Sequence, residues 1–336
     1  MAQGPENPSS EAQSSNIKSS DTKADSNRRR NRRNRAMDDS AAFDLKGNIA
    51  VALYKSLSIL PLSTLRALGG LVGKFLWATN GSAAKVTREN IGYAYPGLSS
   101  QEQLALSKQS VIESARTFTE LAKIWTRDDV WLEKHFIEVE NKERFLQHVN
   151  DERGLIILGP HLGNWEVMGR CLGIFCPVVT AMYQPVQLPA MDAMIKSARS
   201  INMKMAPTDR RGVMQVMKAL KNNETVGILP DQLPLDGGGE FADFFGKPAL
   251  TMTLIRQLQQ KTGAAVMMAF AKRIKGGYRI IFKEPHTDIY SEDPAVAVAG
   301  LNKSVELCVN VVPEQYQWEY KRYRRQPEGL PRPYQF

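Results

Sequence analysis

The chain has 336 residues, 43% hydrophobic and 24% charged, and its 44 lysines and arginines against 35 acidic residues give a formal charge of +9. These values exclude a disordered or fibrous chain and direct attention to acidic partners: nucleic acid, anionic lipid, phosphorylated substrates or an acidic protein. Three cysteines, Cys171, Cys176 and Cys308, exclude a disulfide framework and suit a reducing cytoplasm.

Residues 1–42 are rich in Ser, Asn, Gln and Asp and predict a disordered tail, since they cannot bury enough apolar surface to fold. Six arginines fall in the eight positions Arg28 to Arg35. The tail has no aromatic residue to stack on bases, so a nucleic-acid partner is not expected. Residues 43–80 form an apolar segment. From Gly47 to Thr79 only Lys55, Arg66 and Lys74 are charged, and the longest uncharged run, Ser56 to Leu65, contains Pro61. A spanning helix wants about 20 apolar residues. The segment therefore predicts two interfacial helices, with basic side chains among anionic headgroups and Leu, Ile, Phe75 and Trp77 in the acyl region. A buried helical hairpin is the alternative.

Residues 81–336 predict one domain in which helices and strands alternate. Helical stretches at Gln101 to Trp125 and Glu140 to Asn150 precede apolar strands at GLIILGP (154), PVVTAMY (177), ETVGILP (224), AAVMMAFAKR (264) and GYRIIFKEP (277). Helix-like segments lie near 165–175, 188–200, 211–222, 250–261 and 294–311. This pattern indicates an α/β fold: a mixed, largely parallel sheet flanked by helices.

The segment GLIILGPHLGNWEVMG places His161 at the carboxyl end of a buried strand, the edge where open α/β sheets bind ligands. Glu166 follows five residues later, too far round a regular helix to share its face, so His161 belongs to the turn before the helix. Gly163 permits that turn and Asn164 suits an N-cap. Glu166 is then expected to hold the imidazole tautomer that leaves the other nitrogen free as general base. A histidine hydrogen-bonded at a strand end would give the same spacing.

HLGNWE resembles the motif of histidine, four residues and an acidic residue of the glycerolipid and lysophospholipid acyltransferase superfamily, in the form seen in late lipid A acyltransferases. The resemblance extends to AMYQPVQLPAMDAMIKSARSINMK at 181, PDQLPLDGGGEFADFFGKPALTMT at 230 and the aromatic, basic PEQYQWEYKRYRRQP near the end. It implies transfer of a fatty acyl chain from acyl carrier protein to a hydroxyl of a lipid A precursor, with no cofactor, at the cytoplasmic face of a bacterial inner membrane. His161 would be the general base and Glu166 its orienting partner. A backbone amide in Leu162 to Asn164, with Arg199, would meet the oxyanion or a substrate phosphate, making Asn164 and Arg199 expected substrate contacts. Asp231 and Gln232 would contact substrate, and Phe245 and Gly246 would line the acyl channel. Two positions depart from the family's pattern: Gln184 stands where an arginine is common, and Leu233 where an aspartate is. A glycerophospholipid or phosphatidylinositol mannoside acceptor is the second enzyme reading, and a basic membrane or RNA-binding adaptor built on Arg28 to Arg35 the non-enzyme one.

The remaining histidines, His135, His148 and His286, lie in separate elements without ligand spacing, so no metal site is expected. Gly237 to Gly239 lack the lysine and serine of a phosphate loop and read as a flexible turn. The basic run KRYRR at 321 reads as a solvated end, or as attraction for anionic lipid or carrier protein.

Overall fold

The computed structural model describes residues 45–199 and 203–336. The expected tail, with its arginine run, lies outside the described residues. The apolar segment forms two helices, α1 (residues 45–57) and α2 (Leu62–Ala78), broken at Pro61, whose ring cannot continue a helix. α3 (Ser82–Ala94) leads into α4 (Ser100–Ile124), which opens with a reciprocal capping box between Ser99 and Glu102. The sheet-bearing part runs α5 (Asp129–Glu133), β1 (Phe136–Glu140), α6 (Lys142–Val149), β2 (Leu155–Leu158), α7 (Trp165–Phe175), β3 (Val179–Tyr183), α8 (Pro189–Arg199), β4 (Met203–Pro207), α9 (Arg210–Lys221) and β5 (Thr225–Ile228). It continues with β6 (Gly239–Phe244), β7 (Lys247–Met252), α10 (Leu254–Thr262), β8 (Ala265–Ile274), β9 (Gly277–Lys283) and α11 (Pro294–Val309).

Seven strands form one sheet in the order β1-β9-β8-β2-β5-β3-β4. The pairings β8–β2, β2–β5, β5–β3 and β3–β4 are parallel, β9 returns antiparallel to β8, and β1 runs parallel to β9. This is the mixed, largely parallel sheet that the sequence predicts. Alternate residues serve opposite faces. Ile156, Leu158, Val226 and Val266 pack toward α9, α10 and α11, while Leu155, Ile157, Ala265 and Met267 pack toward α6 and α7.

α2 lies against α4 along glycines. A Cβ at Gly73 would stand 2.5 Å from the Ile112 Cα, and one at Gly69 2.6 Å from the Arg116 Cα, so any larger residue would push the helices apart. The opposite face of α2 is bare hydrocarbon: Leu68, Leu71, Val72, Phe75 and Leu76 are all exposed. No helix among the described residues is long and apolar enough to cross a membrane.

Three expectations change. The stretch 250–261 is not one helix, because its first residues complete β7 and α10 starts at Leu254. Gly239 is not loose loop but the first residue of β6, where a Cβ would meet the Thr251 carbonyl oxygen at 2.9 Å. The run at 321–325 is solvated only in part: Arg324 and Arg325 are exposed, but Arg322 is 3% exposed and donates to the Leu250 carbonyl at 2.6 Å, and Tyr323 is fully buried.

Candidate active site

β2 hands the chain to the site through Gly159, whose amide still bonds the Ile228 carbonyl of β5 at 3.0 Å. Because β2 and β5 are parallel neighbours in register, the segments leaving both strands emerge side by side. This places Asp231 against His161, 70 residues earlier in the chain. The His161 amide donates to Asp231 Oδ2 at 2.8 Å, and Nδ1 lies 2.8 Å from Oδ1. A carboxylate can only accept, so the Nδ1 proton points at Asp231 and Nε2 carries the lone pair. Gln232 Nε2 donates to that lone pair from 3.1 Å.

Burial opposes the charge of Asp231, yet the facing His161 and the hydrogen bonds from its ring and backbone hold the carboxyl below its usual value. Beyond it, burial and then the Asp231 charge push the Tyr316 phenol up, so Tyr316 remains a protonated neighbour. The C-terminal segment closes the back of the site. Gln317 donates its amide to the His161 carbonyl at 3.0 Å, and Glu319, which burial raises, accepts from Ser114 Oγ at 2.9 Å.

The turn from His161 into α7 requires glycine at 163. Its φ is +64°, and a Cβ there would lie 2.1 Å from the Ala271 carbonyl oxygen. Asn164 is the N-cap, accepting the Val167 amide at 3.1 Å. The turn is not an open oxyanion site, however. The amides of Leu162, Gly163 and Asn164 already donate to Pro160, Gln315 and Ala271 at 2.7, 2.9 and 2.9 Å. Nor is Asn164 a substrate contact, since it is fully buried with its side-chain amide on Glu120 Oε2 at 2.9 Å.

Glu166 does not hold the imidazole. It lies in the first turn of α7 and is engaged elsewhere: Arg199 grips both carboxylate oxygens, with Nε 3.0 Å from Oε2, and Trp125 Nε1 donates to Oε2 at 3.0 Å. The reason is that both ring nitrogens of His161 are engaged elsewhere, Nδ1 by Asp231 and Nε2 by Gln232. Arg199, expected to meet a substrate phosphate or oxyanion, reaches the site with its charge matched by Glu166 and its guanidinium 5.1 Å from the Tyr183 ring centre.

These groups stand at the edge of a cavity of about 640 Å³. His161, Glu166, Arg199 and Gln232 contribute its polar side, whereas Ile157, Met168, Leu172, Ala181, Ile195 and Met203 give it a wall of hydrocarbon. Asp231 sits behind His161 rather than in the wall. Phe245 and Gly246 are outside the cavity, at the tip of the β6–β7 hairpin. Both have positive φ, 50° and 71°, as a two-residue type I′ turn requires. The Phe245 ring packs instead on Tyr95 and Trp318, 5.4 and 5.6 Å away.

No cysteine is poised as a nucleophile. All three are buried, and burial pushes the Cys176 thiol up to about 11, that of Cys308 to about 12 and that of Cys171 well above the usual value. Among the described residues no group of three potential ligands could hold a metal ion.

Comparison with known proteins gives a consistent likeness. The family model for bacterial lipid A biosynthesis acyltransferase matches residues 45–325. The chain is 27% identical over 279 residues to the lipid A biosynthesis lauroyltransferase of Escherichia coli K12, covering 82% of this chain and 90% of the relative. It is 26% identical to the palmitoleoyltransferase of the same organism, over 80% of this chain and 88% of the relative, and 19% identical to its myristoyltransferase, over 85% and 89%.

Proposed function

The chain belongs to the bacterial lipid A biosynthesis acyltransferase family and is an O-acyltransferase of secondary lipid A acylation, and on that premise we propose that it takes its acyl group from acyl carrier protein and passes it directly to a lipid A precursor hydroxyl, with His161 as general base. The observation that carries this reading is His161 Nδ1 fixed on buried Asp231 at the edge of a hydrocarbon-walled cavity. Nε2 then accepts the acceptor's hydroxyl proton as the oxygen attacks the thioester carbonyl. Collapse of the tetrahedral intermediate breaks the carbon–sulfur bond, and the departing thiolate recovers the proton from Nε2. Such a positioned base contributes a factor of about 10² to 10⁴. The Gln232 amide, which yields the Nε2 lone pair to the incoming hydroxyl, then serves as a side-chain donor for the developing oxyanion. The hydrocarbon wall suits the acyl chain, and the Glu166–Arg199 pair lends the entrance polarity without a net charge.

The buried, unactivated cysteines support transfer without an acyl-enzyme. The test is to incubate the purified chain with acyl carrier protein thioester, first alone and then with a lipid A precursor, and weigh protein and lipid. The expected result is an unmodified protein in both and a lipid heavier by one acyl chain in the second. A covalent acyl adduct sinks direct transfer, and an unchanged lipid sinks the assigned donor or acceptor.

The bare faces of α1 and α2 support membrane association from one side. Ile49, Leu53, Leu71, Val72 and Phe75 are all exposed, with Phe75 at 67%, too much contiguous hydrocarbon for a surface bathed only in water. Replacing Leu71 and Phe75 together by glutamate is expected to lower partition onto anionic vesicles by at least about tenfold, while activity on detergent-dispersed substrate persists. Unchanged sedimentation with vesicles would refute this surface.

A further inference from the structure

A second groove, of about 790 Å³, opens beside the catalytic cavity and shares Thr208, Val213 and Leu235 with it. Its main wall is the outer face of α9. Arg210, Met214, Met217, Lys218 and Lys221 fall at spacings of four, seven, eight and eleven residues and so lie along one stripe, with Lys261 of α10 opposite. The groove mixes charge with hydrocarbon: Met214 is 71% and Leu235 63% exposed. Among the described residues no acidic side chain pairs with Arg210, Lys218, Lys221 or Lys261. The acidic residue in the groove, Asp209, is occupied in capping α9 through the amides of Arg211 and Gly212 and in pairing with the Arg211 guanidinium.

We propose that this groove is the docking surface for the acidic carrier protein, which lays an amphipathic helix along α9 and feeds its thioester arm past Thr208, Val213 and Leu235 to His161. The inference rests on the donor assigned under the proposed function. Charge complementarity selects the occupant: four uncompensated cations attract carboxylates over a distance of a Debye length and orient the encounter. The exposed Met214 side chain adapts to an apolar helix face. A bilayer is a poorer match, because a flat surface meets convex protrusions such as the bare ridge of α2, not a groove. The two substrates thus approach by different routes, lipid from the α1–α2 side and thioester from the α9 side, and neither has to leave before the other binds.

The test is the double substitution Lys218→Glu with Lys221→Glu in the full chain, assayed with carrier-protein thioester and, separately, with S-acyl pantetheine, which has the same thioester and no protein. The expected result is a KM for the carrier thioester raised about tenfold or more and a loss of its salt dependence, with turnover of S-acyl pantetheine within about twofold of wild type. An unchanged KM for the carrier thioester overturns the surface, and so does an equal loss with both donors. Reduced binding to anionic vesicles with an unchanged KM would assign the stripe to lipid and overturn carrier docking. If the wild-type chain accepts S-acyl pantetheine but not the carrier thioester, the donor reading itself fails and takes this surface with it. If the wild type uses the carrier and the variant matches it, only the surface fails.

Discussion

Asp231→Asn is expected to lower kcat by about 10² to 10⁴ while leaving both KM values within about twofold. Asp231 meets two donors at once, the His161 amide on Oδ2 and Nδ1 on Oδ1, each at 2.8 Å. Asparagine has one acceptor oxygen. If that oxygen serves the backbone amide, its NH₂ faces Nδ1, the ring proton moves to Nε2, and the base is lost. If instead the oxygen serves Nδ1, two N–H groups collide at the backbone. Asp231 acts through His161, so the readout must separate positioning from folding. A positioning role lowers kcat while leaving both KM values and the thermal unfolding midpoint in place. A merely structural lesion would not. His161→Ala is expected to lose as much, and the double variant little more, because the two act as one unit. Glu166→Gln should show the opposite pattern, a larger effect on KM, since its partners are Arg199 and Trp125. Near-normal kcat in Asp231→Asn, with a hundredfold loss in Glu166→Gln, would return the orienting role to Glu166.

That assignment marks the boundary of what the sequence reveals. Uninterrupted apolar runs announce β2, β5 and β8, and Gly163 with Asn164 announces the turn and its cap, because those signals are local. The His161–Asp231 bond depends on which strands are neighbours, and parallel pairing joins positions far apart in sequence. The spacing of His161 and Glu166 is visible in the chain, but it describes two residues on either side of a cap rather than a contact. β1 and β4 escape for another reason: each is five residues with partly exposed positions, so neither shows a continuous apolar run. The β6–β7 hairpin lacks an Asn-Gly or Asp-Gly turn and closes on Phe245-Gly246 instead. α4 does carry a retrospective signal. Glu113, Thr117 and Glu120 recur at helical spacing on what proves to be its buried face, where a soluble helix ordinarily presents hydrocarbon.

That buried polar face gives the largest expected effect on stability. Glu120 is fully buried, with Arg66 Nε at 2.6 Å, Arg273 Nε at 2.7 Å and Asn164 Nδ2 at 2.9 Å, while Glu113 takes Arg273 Nη1 at 2.6 Å. One carboxylate therefore joins α2, the sheet and the cap of the helix that follows His161. Glu120→Ala leaves buried guanidinium charge uncompensated and strands the Asn164 amide, a loss of about 3–5 kcal/mol, on the order of 10 °C in Tm. The pH dependence has a definite sign. Burial opposes the Glu120 charge, but Arg273 and Arg66 outweigh it and hold the carboxyl below its usual 4.5. A depressed carboxyl stabilises fully above its unfolded value and loses that contribution as pH falls through the folded one. Wild-type stability should therefore drop on acidification below about pH 4.5, and Glu120→Gln, which keeps shape and one acceptor oxygen, should flatten that drop while already being weaker at pH 7. Thermal unfolding at pH 7 and pH 4 measures both. A loss under about 1 kcal/mol in Glu120→Ala would mean that Arg66, with its bonds to the Ile274 and Gly277 carbonyls, and Arg273, with its bonds to Glu113 and Thr117, are sufficiently held without Glu120.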